Sequence, residues 1–321
     1  MRRLTSRTRR HGAPRLADER GAIAVMVALL LVPMLGCGAI AVDVASLYSD
    51  RAQLRNASDA AAIAVALDCA GNNCGTPVAT ATAALSANAG SADVANATLR
   101  TPTAAVSGRT VTVTTSASQA HWFAPVLGIS STTVSATSSA AWAPTSRGVA
   151  DFPLAFSWCE YKAQLADYPL TNTTSHRISG QTQTGGTCTG PSGLTIASGY
   201  AVMNSDSSSV CRATSTAGGT VAAYPGMFTS GLPASCTTAY LASLIGTAVL
   251  IPIWDKTSGS GSSLTFRVYG YAAFHITGYD IDSSDPAIYG WFTYAAQQSD
   301  ATTITTTTAP DLGARSVYLQ G

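Results

Sequence analysis

The sequence predicts an α+β chain: a long N-terminal helix that crosses a membrane and continues beyond it, a small β-sheet, and then a disulfide-containing, mainly-β domain. Three observations predict it. Gly21–Val42 (GAIAVMVALLLVPMLGCGAIAV) is 22 residues without a charge. From Asp43 to Leu67 the chain has neither Pro nor Gly and is rich in Ala and Leu, which favour helix. The rest is a series of short apolar stretches between Gly/Ser/Thr-rich loops, and it holds six of the 7 Cys.

The apolar run is long enough for its role. At about 1.5 Å per residue it extends roughly 33 Å, against a hydrocarbon core of about 30 Å. Pro33 and Gly36 lie inside it, where local distortion or neighbouring groups can satisfy the freed backbone. Before it, residues 1–20 carry Arg2, Arg3, Arg7, Arg9, Arg10, Arg15 and Arg20 against Asp18 and Glu19. The remaining residues hold 11 basic and 15 acidic side chains, so a net charge of +1 conceals a basic head on a weakly acidic body. The positive-inside rule then keeps residues 1–20 in the cytoplasm and places 43–321 outside. A cleaved signal peptide is the rival, because Ala39-Ile40-Ala41 is an A-x-A site. The run exceeds the usual 7–15-residue signal core, however, and the helical pattern passes straight through that site.

Charged residues make up only 11% of the chain, which argues against a cytosolic enzyme and a nucleic-acid binder. Cysteine usage agrees with export. Cys37 is in the span, whereas Cys69, Cys74, Cys159, Cys188, Cys211 and Cys236 lie beyond it and are disulfide candidates. Cys69 and Cys74 can staple the turn DCAGNNCG; the other four allow three pairings, among which sequence does not choose. No C-x-x-C spacing supports a metal site.

Beyond the span, Leu47, Leu54, Ala57, Ala61 and Ala64 recur at helical spacing, with Arg51, Arg55 and Asp59 on another face. This Ala-rich face permits close approach of another helix or a sheet, and it reads as an assembly face. The helix, about 22 to 68 and roughly 70 Å long, stops at Gly71 with Asn72 and Asn73. Thr76-Pro77 starts a short helix over Val78–Ala87. Leu99–Val106 and Arg109–Ser116 form a hairpin around Ser107-Gly108, His121–Ile129 (HWFAPVLGI) is an apolar loop or turn, and Thr132–Trp142 is another strand. Ala143–Arg147 is a linker. The organisation is thus a tail over 1–20, a span over 21–42, a helical extension with a small sheet over 43–147, and a β domain over 148–321. In that domain Ala248–Asp255, Leu264–Asp282 and Ala287–Tyr294 are the clearest strands, while Ala301–Thr308 is low-complexity, either a last edge strand or partly disordered.

Glu19–Ala66 resembles the N-terminal segment of TadG-like proteins of the Tad/Flp pilus assembly system. Val42, Asp43, Leu47, Tyr48, Arg51, Leu54, Asn56, Ala57, Asp59, Ala60, Ala61 and Ala62 carry the resemblance. Pro153–Tyr161 (PLAFSWCEY) and Val249–Asp255 (VLIPIWD) look like actinobacterial members. The resemblance implies a pilin-like sheet after the helix and a structural role, as an accessory or minor subunit that assembles or anchors a Flp-type pilus beside other envelope proteins. Met26 stands where related prepilins carry Glu after the cleavage-site Gly, so prepilin-peptidase processing is not implied. Asp206-Ser-Ser-Ser-Val and Asp282-Ser-Ser-Asp-Pro depart from the D-x-S-x-S metal motif of larger relatives at the fifth position.

No catalytic, cofactor or metal site is expected. The four His are scattered, no G-x-S-x-G or HExxH motif occurs, and Glu19 and Glu160 are the two Glu. Asp280, Asp282 and Asp285 sit on one turn without an EF-hand Gly or terminal Glu, which reads as a solvated acidic turn. Asn96 and Asn172 begin glycosylation sequons whose meaning depends on the host. On the strand after Thr265, Phe266, Val268, Ala272, Phe274 and Ile276 should face the core, leaving Arg267, Tyr269, Tyr271 and His275 as a contact surface. A cell-surface adhesin using that row is the alternative function.

Overall fold

The computed structural model describes residues 19–88, 97–99, 102–179, 186–225, 232–260, 263–281, 286–299 and 309–320. Two helices come first, α1 (Glu19–Ala70) and α2 (Pro77–Asn88). The strands β1 (Ala97–Leu99), β2 (Thr103–Ser107), β3 (Thr110–Ala120), β4 (Ser131–Pro144), β5 (Arg147–Ala150) and β6 (Leu154–Ser157) precede helix α3 (Trp158–Asp167). Then come β7 (His176–Ser179), β8 (Thr187–Thr189), β9 (Thr195–Ala197), β10 (Tyr200–Met203), β11 (Ala213–Thr216) and β12 (Thr220–Pro225), followed by α4 (Thr238–Ser243). The chain ends with β13 (Ala248–Ser258), β14 (Thr265–Asp280), β15 (Ala287–Thr293), β16 (Ala295–Gln298) and β17 (Ala314–Gln320).

Helix α1 is continuous for 52 residues through Pro33. It is the one helix among the described residues long and apolar enough to cross a membrane. It stops where glycine and asparagine permit: the Gly71 N–H donates to Leu67 O at 2.9 Å, and Asn72 takes a left-handed conformation at φ 63°. The Cys69–Cys74 disulfide closes this turn, and α2 follows with Pro77 at its first position.

The first sheet runs β1–β3–β4–β17–β16, with β2 sharing the β3 edge with β1. Along β3, Val111, Val113 and Thr115 point to the buried face, while Thr112 and Thr114 point outward and meet Ser139 and Thr137 of β4 at 2.9 and 3.1 Å. Helix α1 and α2 cover the buried face, which combines Ala57, Ala61, Ala62, Val65 and Leu85 with Val111, Val113, Ala140, Trp142 and Val317. Strand β17 pairs with Ser139–Pro144 of β4, so the last strand lies in the same sheet as the first four. The β-rich unit after residue 147 therefore loses Ala295–Gln298 and Ala314–Gln320 to the first sheet.

The second sheet has order β12–β10–β6–β13–β14–β15–β7. Strand β12 also pairs with β14, so β12, β10, β6, β13 and β14 close into a ring around Ala155, Ala201, Met203, Ala223, Trp254 and Phe266. Pro153–Tyr161 and Val249–Asp255 meet inside it, since β6 and β13 pair in parallel with Phe156 opposite Ile253. The region is mainly β rather than all β. Ser157 caps α3 by accepting from the Glu160 N–H at 3.0 Å, with Glu160 in the first turn. The larger core, with Phe152, Phe156, Tyr161, Phe274 and Phe292, lies beyond the ring, against α3 and β15.

Candidate functional site at the helix–sheet junction

Along α1 the first buried residue among those described is Asp43. From Ile23 to Val42 the large apolar side chains are exposed, including Leu29, Val32 and Met34, and the free Cys37 lies among them. Asp43 is buried. Its carboxylate accepts from the backbone N–H groups of Trp122 (2.9 Å), Phe123 (3.1 Å) and Ala124 (2.7 Å), which open a 3-10 turn over Ala124–Leu127 in the β3–β4 connection. Burial pushes the carboxyl pKa up, but the Ala124, Trp122 and Phe123 donors, with the nearby His121 charge, outweigh it and hold the group below its ordinary value. Asp43 therefore fixes the loop to the rod at the point where the uncharged run ends.

Further along, the helix lies on the sheet at close range because its contact residues are small. Ala57 and Ala61 are fully buried, and Leu54 nearly so. Polar pairs set the register: Ser58 meets Thr115 at 2.7 Å, and Ser138 donates to Asp59. At the far end Arg315 of β17 donates to the last helix carbonyl, Ala70 O, at 3.0 Å, and Asp311 accepts from both Arg315 and Arg109 at 3.1 Å. The Tyr161 hydroxyl donates to Leu312 O at 2.9 Å, tying the same return segment to the second region.

The chain's own sheet, not a partner helix, thus covers Leu54, Ala57 and Ala61 of the expected assembly face, while Leu47 and Ala64 are half-buried. The exposed side carries Tyr48, Arg51 and Arg55. Val44, Leu47, Tyr48 and Arg51 line a groove of about 440 Å³ with Thr132–Ser135. There β4 has a free edge among the described residues, because β17 reaches only to Ser139.

The row on β14 is not a continuous exposed surface. Tyr271 is fully buried and hydrogen-bonds Ser215 at 2.8 Å, Arg267 forms a two-pronged ion pair with the buried Asp255, Tyr269 packs edge-on against Trp158, and His275 stacks on Trp291. A register shift opposite Trp254 interrupts the alternation, so Val268 joins Tyr271 and Ala273 instead of Phe274. The four remaining cysteines pair as Cys159–Cys188 and Cys211–Cys236. Asp206 folds back on Thr214, accepting from its N–H and hydroxyl at 2.7 and 2.6 Å, which holds its pKa down. Buried Glu160 accepts from Gln164 and Tyr200 at 2.8 and 2.9 Å and from Ser198, which anchors α3. Among the described residues no group of His, Cys, Asp and Glu could hold a metal ion. The Asp282 motif, Asn96 and Ala301–Thr308 lie outside the described residues.

The fold and this junction define a class: a protein whose exposed apolar rod is clamped, where the uncharged run ends, to a sheet that joins the first four strands with the last two. A family model described as "Putative Flp pilus-assembly TadE/G-like" matches residues 21–68, the apolar run and nearly all of its extension. The match makes this segment TadE/G-like and supports a pilus-associated role for a TadG-like protein; the family is one of pilus assembly and not of enzymes. No curated protein and no solved structure matches the chain.

Proposed function

We propose that the chain is a membrane-anchored accessory or minor subunit in the assembly or anchoring of a Flp-type pilus, and that it acts structurally. The observation that carries this reading is the coincidence of the family match over 21–68 with a helix whose large apolar side chains are exposed up to Val42, which is tied to the β3–β4 loop at Asp43 and packed on its own sheet from Leu54. The exposed half suits one crossing of a bilayer, and the arginines before it favour a cytoplasmic N-terminus with the two sheets outside. Because the small-residue face is already occupied, partner pilus or envelope proteins would meet the Tyr48, Arg51 and Arg55 side, beside the free edge of β4.

The test is a strain lacking the protein, scored for pili and complemented with the full chain. Complementation with Arg51→Glu/Arg55→Glu should leave the protein in the membrane but fail to restore assembly. Normal piliation without the protein refutes the reading, and a loss of attachment alone would favour an adhesin. Truncation after residue 147 is a poor probe, since it removes β17 from the first sheet.

A further inference from the structure

We propose that the β3–β4 loop, Trp122–Ile129, dips into the outer leaflet of the bilayer beside α1 and is a second membrane contact of the chain. The inference rests on the reading of α1 as a membrane anchor. Val126, Leu127 and Trp122 are 90%, 69% and 66% exposed, and Phe123 and Ile129 are also open. Such a patch on a loop tip is costly in water and ordinary in lipid. Its position is specific. Phe123, Val126 and Leu127 line a groove of about 790 Å³ whose other wall is Met34–Val42, the last turns of the apolar run. The loop therefore stands at the same depth as helix residues already placed among acyl chains, and lipid is the occupant continuous with that surface.

The backbone is prepared for this medium, where an unpaired N–H is expensive. The N–H groups of Trp122, Phe123 and Ala124 donate to Asp43, those of Val126, Gly128 and Ile129 donate within the turn at 3.0–3.2 Å, and Pro125 has none. The His121 N–H closes the hairpin on Ser130 O at 3.0 Å. No side chain from Trp122 to Ser130 is charged. Trp122, at the start of the loop, suits the headgroup level where tryptophan concentrates. Asp43 is then a positioning residue: it spends its carboxylate on the turn and holds the loop parallel to the rod.

A spin label tests this in the full chain in phosphatidylcholine–phosphatidylglycerol vesicles, with Cys37→Ala and a single labelled Val126→Cys. Relaxation of the label by oxygen, with loss of relaxation by a water-soluble nickel chelate, is the expected result. A nickel-accessible label overturns the proposal, as does a label shielded from both reagents, which would mean that protein covers the loop. A parallel label at Val32→Cys separates the two readings: lipid at 32 with water at 126 removes the loop contact alone, whereas water at both removes the anchor as well. Adding Asp43→Asn should move the 126 label toward nickel access while the 32 label stays in lipid; no movement would remove Asp43 from the assignment.

Discussion

The two sheets are closed by opposite means. The first is covered by two helices whose contact residues are mostly alanines, and its outer face carries serine and threonine hydroxyls. The second is filled by aromatic rings meeting edge to face, with Phe292 at 5.6, 5.1 and 5.1 Å from Phe156, Tyr161 and Phe274, and two disulfides brace it. Small residues contribute little transfer energy each, but they bring helix axis and sheet close and fix their angle. Large rings contribute far more burial and are indifferent to a rod. The first region is thus built to hold a direction, the second to hold itself together.

The largest expected effect falls on the second region. Phe274→Ala removes a fully buried ring and should cost about 3–5 kcal/mol, read by denaturant unfolding in detergent. If amide protection of Val111 and Val113 survives under conditions where that of Ile251 is lost, the regions are separable; simultaneous loss would break the comparison. Opening the Cys211–Cys236 bridge, which spans 25 residues, with paired Ser substitutions should cost about 3 kcal/mol in the same measurement. Ala61→Leu sharpens the contrast from the other side. Overpacking a helix–sheet contact with no spare room should cost about 1–3 kcal/mol and lower protection in β3 and β4, whereas Leu at exposed Ala52 should be neutral.

The smallest effect is local and set by pH. Because the Asp43 pKa is depressed in the fold, its contribution is fully present above the ordinary carboxylate value of 3.8 and is lost as pH falls through the lower folded value. Protection of the Trp122, Phe123 and Ala124 amides, corrected for intrinsic exchange, should stay level from neutral pH to 3.8 and fall only below it. A fall near neutrality would reject the clamp.

Periodicity made the first region legible. Uncharged length, helix-forming composition and the Gly71 stop defined α1, and alternation of Val111 and Val113 with threonines defined β3. The role of Asp43 was not legible, because its partners are backbone N–H groups about 80 residues away, and these carry no side-chain signature. The same holds for β17: a strand that pairs with β4 after so long a detour leaves no local trace. On β14 Tyr271 does stand on the face opposite Phe274, as alternation places it, but that face is buried too, beneath Ala217, Leu250 and Ala314 from distant segments, and the bulge adds Val268 to it. Helix α3 did leave a signal in Ser157 and Glu160, a serine followed three residues later by glutamate, but it was hidden in an otherwise strand-like composition.

The return of β17 has a consequence in time. Thr145 and Ser316, which hydrogen-bond across β4 and β17, are 171 residues apart in the chain, and Arg315 caps a helix made far earlier still. As the chain is made, the helix and its first hairpin are complete with one strand edge unfilled and the Ala70 carbonyl uncapped, and they must wait for the entire aromatic core to follow. Completion of the first sheet therefore requires that the second has already been made, so a chain interrupted between β4 and β17 keeps that edge open.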